Sequence, residues 1–370
     1  MVMTTEDDIA SAVAAATGPL AIRGGGTRSV GRPVVGEVLD VSSLSGITLY
    51  EPGALTIVAQ AGTPLAEIEA TLAAENQRLA FEPYDLTGLL GTSGASTIGG
   101  VMATNASGPR RIMAGAARDF ALGVRFVDGA GQVIKNGGRV MKNVTGYDLV
   151  KLMCGSWGTL GVLTEVSLKV LPSVETETTL TIDGLDPARA VAAMSRALGS
   201  PFEVSGAAWV NGQVWLRLEG FEASVAYRAG MLTSLLSTFG DVSRIDAEWT
   251  TVRDAKSLHG SDAVWRVSVK PGDGPTVIAD LPEGCTAMMD WGGGLIWIGM
   301  SGGDMTAAHC GIQHHVAALG GHATLIKGPE AVRAAVPVFQ PEAPGVAALT
   351  TALRQRFDPN GILNPGLMAA

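Results

Sequence analysis

The segment that most restricts how this chain can fold is residues 91–108, with the sequence GTSGASTIGGVMATNASG. Five of its 18 residues are glycine and most of the others are Ser, Thr or Ala, so the backbone has little side-chain cover. It shows no helical or strand period, and long stretches of this kind are more often functional than idle. Because bare N–H groups in turns bind anions and flat polar heterocycles, we interpret the segment as a ligand-binding loop. A Gly-rich surface loop is the alternative.

A shorter glycine-rich loop follows a predicted buried strand at residues 20–22 and begins with the sequence RGGGTRS. Three consecutive glycines allow successive N–H groups to converge on a phosphate, whose charge Arg23 and Arg28 would neutralise. The sequence matches neither G-x-G-x-x-G nor the Walker motif, and a flexible turn is the alternative. We call residues 23–29 the first glycine loop and residues 91–108 the second glycine loop.

Composition excludes several classes of protein. A net charge of −9 without a run of Lys or Arg argues against nucleic acid as a partner. No apolar run reaches the roughly 18 residues needed to span a bilayer, and the acidic N-terminus is unlike a signal peptide, so we expect a cytoplasmic protein. Three scattered cysteines without a C-x-x-C pair exclude an iron–sulfur or zinc site built by this chain alone. No metal site is expected.

The length of 370 residues predicts two domains. Up to Pro172, where we place a boundary, the pattern mixes short strands, helices and the two loops. Beyond it, the order β-α-β-β-α-β can be traced twice, which predicts an antiparallel sheet with helices on one face. The turn-rich ending, RQRFDPNGILNPG, predicts a segment docked onto the rest of the protein.

Three motifs, in this order, resemble the FAD-binding domain of the vanillyl-alcohol oxidase and p-cresol methylhydroxylase family. They are RGGGTR, TSGASTIGGVMATNASG and GSWGTLGVLTEVSLKVLP. Within that family, KNVTGYDLVKLMCGS, LGGHATLIKGPE and RQRFDPNGILNPG are similar to the smaller FAD-binding subunits of bacterial glycolate oxidases. The resemblance covers nearly the whole chain.

This resemblance implies an α+β protein in three parts. Residues 1–172 are expected to form a two-lobed FAD-binding domain of vanillyl-alcohol oxidase type, with the lobes divided near residue 62. Residues 173–343 are expected to form a cap or substrate-type domain of antiparallel sheet covered by helices. Residues 344–370 are expected to dock back near the FAD domain.

The resemblance also implies three backbone segments that hold FAD. The first glycine loop would bind the pyrophosphate, and the second would run along the cofactor toward the flavin. A third segment, Gly161 and Val162, would meet the adenine. The implied residues are Arg23, Gly24, Gly25, Gly26, Thr27, Arg28, Ser29, Thr92, Ser93, Thr97, Ile98, Gly99, Gly100, Asn105, Ala106, Ser107, Gly108, Gly161 and Val162. Many relatives attach flavin through a His or Cys in or near the first loop. Since Thr27 and Arg28 stand there in this chain, we expect non-covalent FAD.

The catalytic residues stay unknown at this stage. Related catalytic subunits carry an H-G-x-G-N-x-H stretch, and this sequence has none. Oxidation of a 2-hydroxy acid needs a base for the hydroxyl proton and a cation for the carboxylate. Among the five histidines His322 is the best candidate base. Tyr147 and Asp148 are further candidates, for which a structural turn is the alternative. The pair Arg110 and Arg111 would face the FAD phosphates or a carboxylate, or else solvent or a partner.

Three functions remain open. The resemblance implies an FAD subunit of a glycolate oxidase complex, which would relay electrons between a larger catalytic FAD subunit and an iron–sulfur subunit. Such a complex would oxidise glycolate to glyoxylate and lie in the cytoplasm, with any attachment to the inner membrane made through partners. The second is a self-sufficient FAD-dependent oxidase or dehydrogenase of a 2-hydroxy acid such as D-lactate. The third is an assembly subunit whose loops no longer hold a cofactor.

Overall fold

The computed structural model of the protein describes residues 3–139 and 146–369. The described residues form two compact units. Unit 1 contains residues 3–107, 115–139, 146–173 and 341–369, and unit 2 contains Gly108–Ala114 and Val174–Gln340. The short segment Gly108–Ala114 therefore belongs to unit 2, although it directly follows unit 1 in the chain. The domain boundaries expected from the sequence, near residues 172 and 343, stay predictions.

The elements before residue 174 belong to unit 1, except for the helix α5. The helices are α1 (Glu6–Ala15), α2 (Leu65–Ala74), α3 (Thr87–Leu90), α4 (Ile98–Ala103), α5 (Arg111–Ala114), α6 (Ala117–Phe120) and α7 (Leu149–Met153). The strands are β1 (Leu20–Arg23), β2 (Glu37–Asp40), β3 (Ile47–Glu51), β4 (Thr56–Gln60), β5 (Gln77–Arg78), β6 (Ala121–Val127), β7 (Val133–Gly137), β8 (Val162–Lys169) and β9 (Leu171–Pro172).

Unit 1 contains a five-stranded antiparallel sheet in the order β3-β4-β8-β6-β7. Helix α2 buries Leu65, Ile68 and Leu72, which lie on one face at helical spacing. A separate parallel pair, β1 and β2, packs with α1 around a smaller apolar core. The antiparallel pair of β5 and β9 completes the strands of this unit.

The C-terminal residues of unit 1 are hydrogen-bonded to β1, the strand from which the first glycine loop departs. The Leu20 N–H donates to the Ile362 carbonyl at 2.7 Å, and the Asn364 N–H donates to the Leu20 carbonyl at 3.0 Å. The side chain of Asn364, which is 5% exposed, accepts from the Ile22 N–H at 2.8 Å and donates to the Trp157 carbonyl at 2.9 Å. This tail thus joins β1 to the loop that precedes β8.

Unit 2 alternates strands and helices, and a final helix follows in unit 1. The strands are β10 (Thr176–Ile182), β11 (Gly206–Val210), β12 (Gln213–Gly220), β13 (Val242–Ile245), β14 (Ala263–Ser268), β15 (Cys285–Asp290), β16 (Leu295–Met300) and β17 (His322–Lys327). The helices are α8 (Pro187–Leu198), α9 (Glu222–Leu236), α10 (Thr250–Arg253), α11 (Gly274–Ala279), α12 (Met305–Ala318) and α13 (Glu330–Ala335), followed by α14 (Pro344–Phe357).

The eight strands of unit 2 form one antiparallel sheet in the order β13-β10-β12-β11-β15-β16-β14-β17. Helices α8, α9 and α12 pack against this sheet, and we call the side on which α12 meets Trp265 the helix face. Trp265 lies on it, fully buried, and its Nε1–H donates to Nδ1 of His309 on α12 at 3.0 Å. Successive side chains of a strand alternate between faces, so Arg266 lies on the opposite side, which we call the polar face. The expected antiparallel sheet covered by helices is confirmed.

No helix in residues 3–139 or 146–369 is both long enough and apolar enough to cross a bilayer.

Candidate functional site

The first glycine loop presents a row of backbone donors. In the part of the chain that the structure describes, the N–H groups of Gly24, Gly25, Gly26 and Thr27 donate to no protein acceptor. Gly26 adopts a φ of 70°, which a residue with a side chain rarely does. Gly24, Gly25 and Gly26 are half-buried and Thr27 is buried. Successive N–H groups of this kind form concave anion sites, so this row is a candidate cradle for an acceptor-rich ligand such as a phosphate.

The two glycine loops pack directly against each other. A Cβ atom on Gly25 would overlap the Ala95 carbonyl, and one on Gly94 would overlap the Gly25 carbonyl. A Cβ atom on Gly24 would lie 2.8 Å from Oγ1 of Thr97. The sequence predicted that glycines in these loops let a ligand approach the backbone. In the structure, these three positions also require glycine because a side chain would collide with the other loop.

The second glycine loop adds its own donors. The N–H groups of residues 93–97 donate to no acceptor among the described residues, and Oγ1 of Thr92 is buried without a hydrogen-bond partner there. The expectation of a loop without regular structure is wrong for residues 98–103, which form helix α4. Oγ1 of Thr97 accepts from the Gly100 N–H at 3.3 Å, while Ile98 and Val101 are fully buried. The helix forms because Thr97 caps it and its apolar residues enter the core.

Three of the expected FAD residues make contacts within unit 1 that hold the loops in place. Arg28 donates to Oγ of Ser96 at 2.7 Å and to the Tyr84 carbonyl at 2.9 Å. Asn105 accepts from the Arg118 N–H at 3.0 Å, and Oγ of Ser107 accepts from the Ala117 N–H at 2.9 Å.

The other expected FAD residues are spread over unit 1, except for Gly108. Ala106 is fully buried, whereas Arg23, Ser29 and Ser93 are exposed. Gly99 lies against Ala61, with a Cβ position 2.7 Å from the Cβ of Ala61. Whether each of these residues touches FAD stays a prediction.

The third segment is tightly packed at the start of β8. A Cβ atom on Gly161 would lie 2.6 Å from the Phe126 ring and 3.0 Å from the Val127 carbonyl. Val162 is 1% exposed and pairs with Val127 of β6. Glycine is required here because another strand occupies the space for a side chain. Of the similar stretch 142–156, residues 142–145 lie outside the described part of the chain.

A cationic and aromatic cluster lies in unit 2. The guanidinium carbons of Arg111 and Arg266 lie 4.6 and 5.0 Å from the centroid of the Trp291 ring, over which both sit. Arg266 of β14 is directly opposite Trp297 of β16 and lies 5.9 Å from its ring. We call Arg111, Arg266, Trp291 and His322 the Arg–Trp–His cluster.

His322 is the first residue of β17. The β14–β17 register places it on the same face as Arg266, and the charges of Arg266 and Arg111 act on its imidazole. It is opposite Ser268, which lies two residues beyond Arg266 on the same face of β14. Its pKa is lowered because the surrounding protein removes water from the imidazole, and the positive charges of Arg266 and Arg111 lower it further. At neutral pH the imidazole is therefore uncharged.

Arg110, in contrast, is part of a buried ion pair. Its Nε donates to both carboxylate oxygens of Glu219 at 3.0 Å, and its Nη2 lies 3.7 Å from Glu177. Burial alone would raise the pKa of Glu219, but the hydrogen bond and charge of Arg110, together with the charge of Arg217, lower it to about 2. Arg110 thus anchors the segment Gly108–Ala114 within unit 2.

The remaining candidates have structural or solvent-exposed positions. Tyr147 is 89% exposed, and the side chain of Asp148 accepts from the Lys151 N–H at 3.0 Å at the start of α7. His309 is buried between Trp265 and the Pro337 carbonyl. Within the described ranges, no three His, Cys, Asp or Glu side chains come together as a metal site.

Comparisons with known proteins match this chain to an FAD-binding family and to FAD-linked oxidoreductases. The family model described as "FAD binding domain" matches residues 1–137. Glycolate oxidase subunit GlcE of Escherichia coli (strain K12) is 37% identical over 357 residues, which are 95% of this chain and 93% of that protein. A D-lactate dehydrogenase of Archaeoglobus fulgidus is 34% identical over 164 residues, or 44% of this chain and 36% of that protein.

The fold itself is shared with solved structures. The structure of 4-ethylphenol oxidase from Gulosibacter chungangensis superimposes with a TM-score of 0.70 at 12% identity, covering 100% of this chain and 88% of that one. The fold of vanillyl-alcohol oxidase type expected from the three motifs is thereby confirmed.

Proposed function

Because this chain belongs to the family of the glycolate oxidase subunit GlcE, we propose that it is the FAD-binding subunit of a complex that oxidises glycolate to glyoxylate. It is an FAD-dependent 2-hydroxy acid oxidoreductase, and FAD is its cofactor. Within the complex, this chain passes electrons from a larger catalytic FAD subunit to an iron–sulfur subunit.

The observation that carries the proposal is the pair of packed glycine loops. The N–H groups of residues 24–27 and 93–97 and the buried Thr92 hydroxyl are donors that the described residues leave for a ligand. FAD supplies pyrophosphate oxygens and flavin carbonyls as acceptors for such groups, and it would accept and release the electrons. The loops contain neither His nor Cys, so we infer that the FAD is non-covalent.

The electron relay is tested by replacing the flavin of this chain alone. The chain is stripped of FAD, reloaded with 5-deaza-FAD, and combined with the catalytic and iron–sulfur subunits. A deazaflavin does not carry single electrons, whereas an iron–sulfur cluster accepts one at a time. We expect glycolate to bleach the catalytic subunit's flavin as before, while electron delivery to the iron–sulfur subunit falls to background.

Reloading with ordinary FAD is the matched control and should restore electron delivery. Delivery that continues undiminished with 5-deaza-FAD would show that electrons bypass this chain, and the relay role would be lost.

A second candidate is oxidation of a 2-hydroxy acid such as D-lactate by this chain alone. The Arg–Trp–His cluster favours it, since the cluster combines cations for a carboxylate with an uncharged imidazole. Anaerobic glycolate or D-lactate added to the isolated, FAD-loaded chain should then bleach the visible flavin band. A band that neither acid changes would rule the second candidate out.

A further inference from the structure

We propose that the Arg–Trp–His cluster is a binding site for a small carboxylate, namely a 2-hydroxy acid or the corresponding 2-oxo acid. The choice of acid rests on the proposed function. The cluster itself lies entirely within unit 2.

The positive charge of the cluster is held in a defined geometry. Arg111 of α5 and Arg266 of β14 both lie over the ring of Trp291, at 4.6 and 5.0 Å. The N–H donors of a guanidinium lie in its plane, and stacking involves the face of that plane. A carboxylate is the ligand that matches this arrangement, because it is planar and accepts paired hydrogen bonds from arginine.

The ring that carries both arginines is itself fixed. Trp291 has a φ of 55°, in the left-handed region that bulky residues rarely adopt. Its N–H donates to the Asp290 carboxylate at 2.7 Å, and its Nε1–H donates to the Gly108 carbonyl at 3.1 Å. Strained backbone persists only where its surroundings determine it, and it clusters at ligand sites. These contacts hold the Trp291 ring in a fixed position beneath the two arginines.

His322 gives the site a group for the oxygen next to the carboxylate. It lies on the polar face and is diagonal to Arg266 across the β14–β17 pair, where such neighbours lie about 7–8 Å apart. An uncharged imidazole accepts a hydrogen bond at one nitrogen and donates at the other. It therefore matches either the hydroxyl of a 2-hydroxy acid or the carbonyl of a 2-oxo acid.

Calorimetric titration of the full-length, FAD-loaded chain with oxalate tests the carboxylate site. Oxalate carries two carboxylates but no hydroxyl group that could be oxidised. Its binding is therefore measured without turnover. We expect one site per chain, and the substitutions Arg266→Gln and Arg111→Gln should each raise the Kd about tenfold to a hundredfold, since each removes charge-assisted hydrogen bonds. The control Arg244→Gln removes an exposed arginine from the same sheet and should leave the Kd unchanged.

Thermal melts of each variant accompany the titrations. Absence of saturable oxalate binding to the wild-type chain overturns the proposal. So does an equal weakening by Arg244→Gln, because binding would then depend on net charge alone. Neither result affects the relay experiment, which measures electron delivery and not carboxylate binding.

The role of His322 is tested by competition between acids. Glycolate and acetate are each used to displace oxalate after dithionite has reduced the flavin, so that neither acid is oxidised. The wild-type chain should prefer glycolate, while His322→Leu should lose that preference and retain oxalate binding. His314→Leu, which changes an exposed histidine of α12, is the control and should keep the preference. An unchanged preference in His322→Leu would remove His322 from the site.

Discussion

Substitution of Gly25 by alanine is expected to abolish FAD binding. The new methyl group would occupy the position of the Ala95 carbonyl in the second glycine loop. A backbone carbonyl can move aside far less than the end of a flexible side chain can. The two loops must therefore separate. Separation would remove the aligned donors of residues 24–27 and 93–97. Flavin absorbance per chain after purification and incubation with FAD should fall below about a tenth of the wild-type value. Overpacking at the upper end of its usual range costs about 3 kcal/mol, which weakens binding by about a hundredfold.

The matched control is Gly53→Ala in the same unit, where a Cβ atom would meet nothing within 4 Å. It should retain the wild-type flavin content. Circular dichroism and thermal melts establish whether Gly25→Ala still folds. A folded Gly25→Ala chain with a full complement of FAD would contradict the assignment of the cradle to these loops.

Substitution of Glu219 by glutamine is expected to lower the free energy of unfolding at pH 7 by about 3 kcal/mol. The carboxylate is 1% exposed and holds Arg110 at 3.0 Å, with Arg217 at 3.7 Å. Removing its charge leaves two cations with only a neutral amide in its place. Urea unfolding measures the change. Glu203→Gln, at a carboxylate that is 75% exposed and 3.5 Å from Arg228, is the control and should cost less than about 1 kcal/mol.

The effect of Glu219 depends on pH in a direction set by its pKa. The pKa is about 2 in the folded chain, against an ordinary value of 4.5. Its stabilisation is therefore complete above about pH 4.5 and is lost as the pH falls through about 2. The difference in unfolding free energy between wild type and Glu219→Gln should shrink over that window. A difference that stays constant from pH 7 to pH 2.5 would show that the charge of Glu219 contributes nothing.

Local signals in the sequence predicted much of the fold. The sequence Asn211-Gly212 predicted the hairpin between β11 and β12, and these two residues separate the strands with positive φ angles. Asp186 followed by Pro187 predicted the start of α8, and the Asp186 side chain caps that helix. The FAD-binding fold was predicted from the resemblance of three glycine-containing motifs, in their order along the chain, to the vanillyl-alcohol oxidase family.

The less visible features depend on contacts between residues distant in the chain. Gly25 and Ala95 collide only because the two loops fold against each other, which composition does not reveal. Arg266 and Trp291 were missed as site residues because β14 and the turn after β15 meet only in the assembled sheet. The alternation in AVWRVS, with the buried Trp265 beside Arg266, was the available signal for a cation on the polar face.

The most direct test of the central claim, that this chain holds FAD without a covalent bond, is acid precipitation of the flavin-loaded protein. The chain is incubated with excess FAD, freed of unbound flavin, and precipitated with trichloroacetic acid. The visible flavin spectrum of the supernatant is then compared with the amount of protein. The account predicts close to one FAD per chain in the supernatant and a colourless pellet. A yellow pellet would show a covalent flavin, and a supernatant without flavin over a colourless pellet would show that the glycine loops hold none.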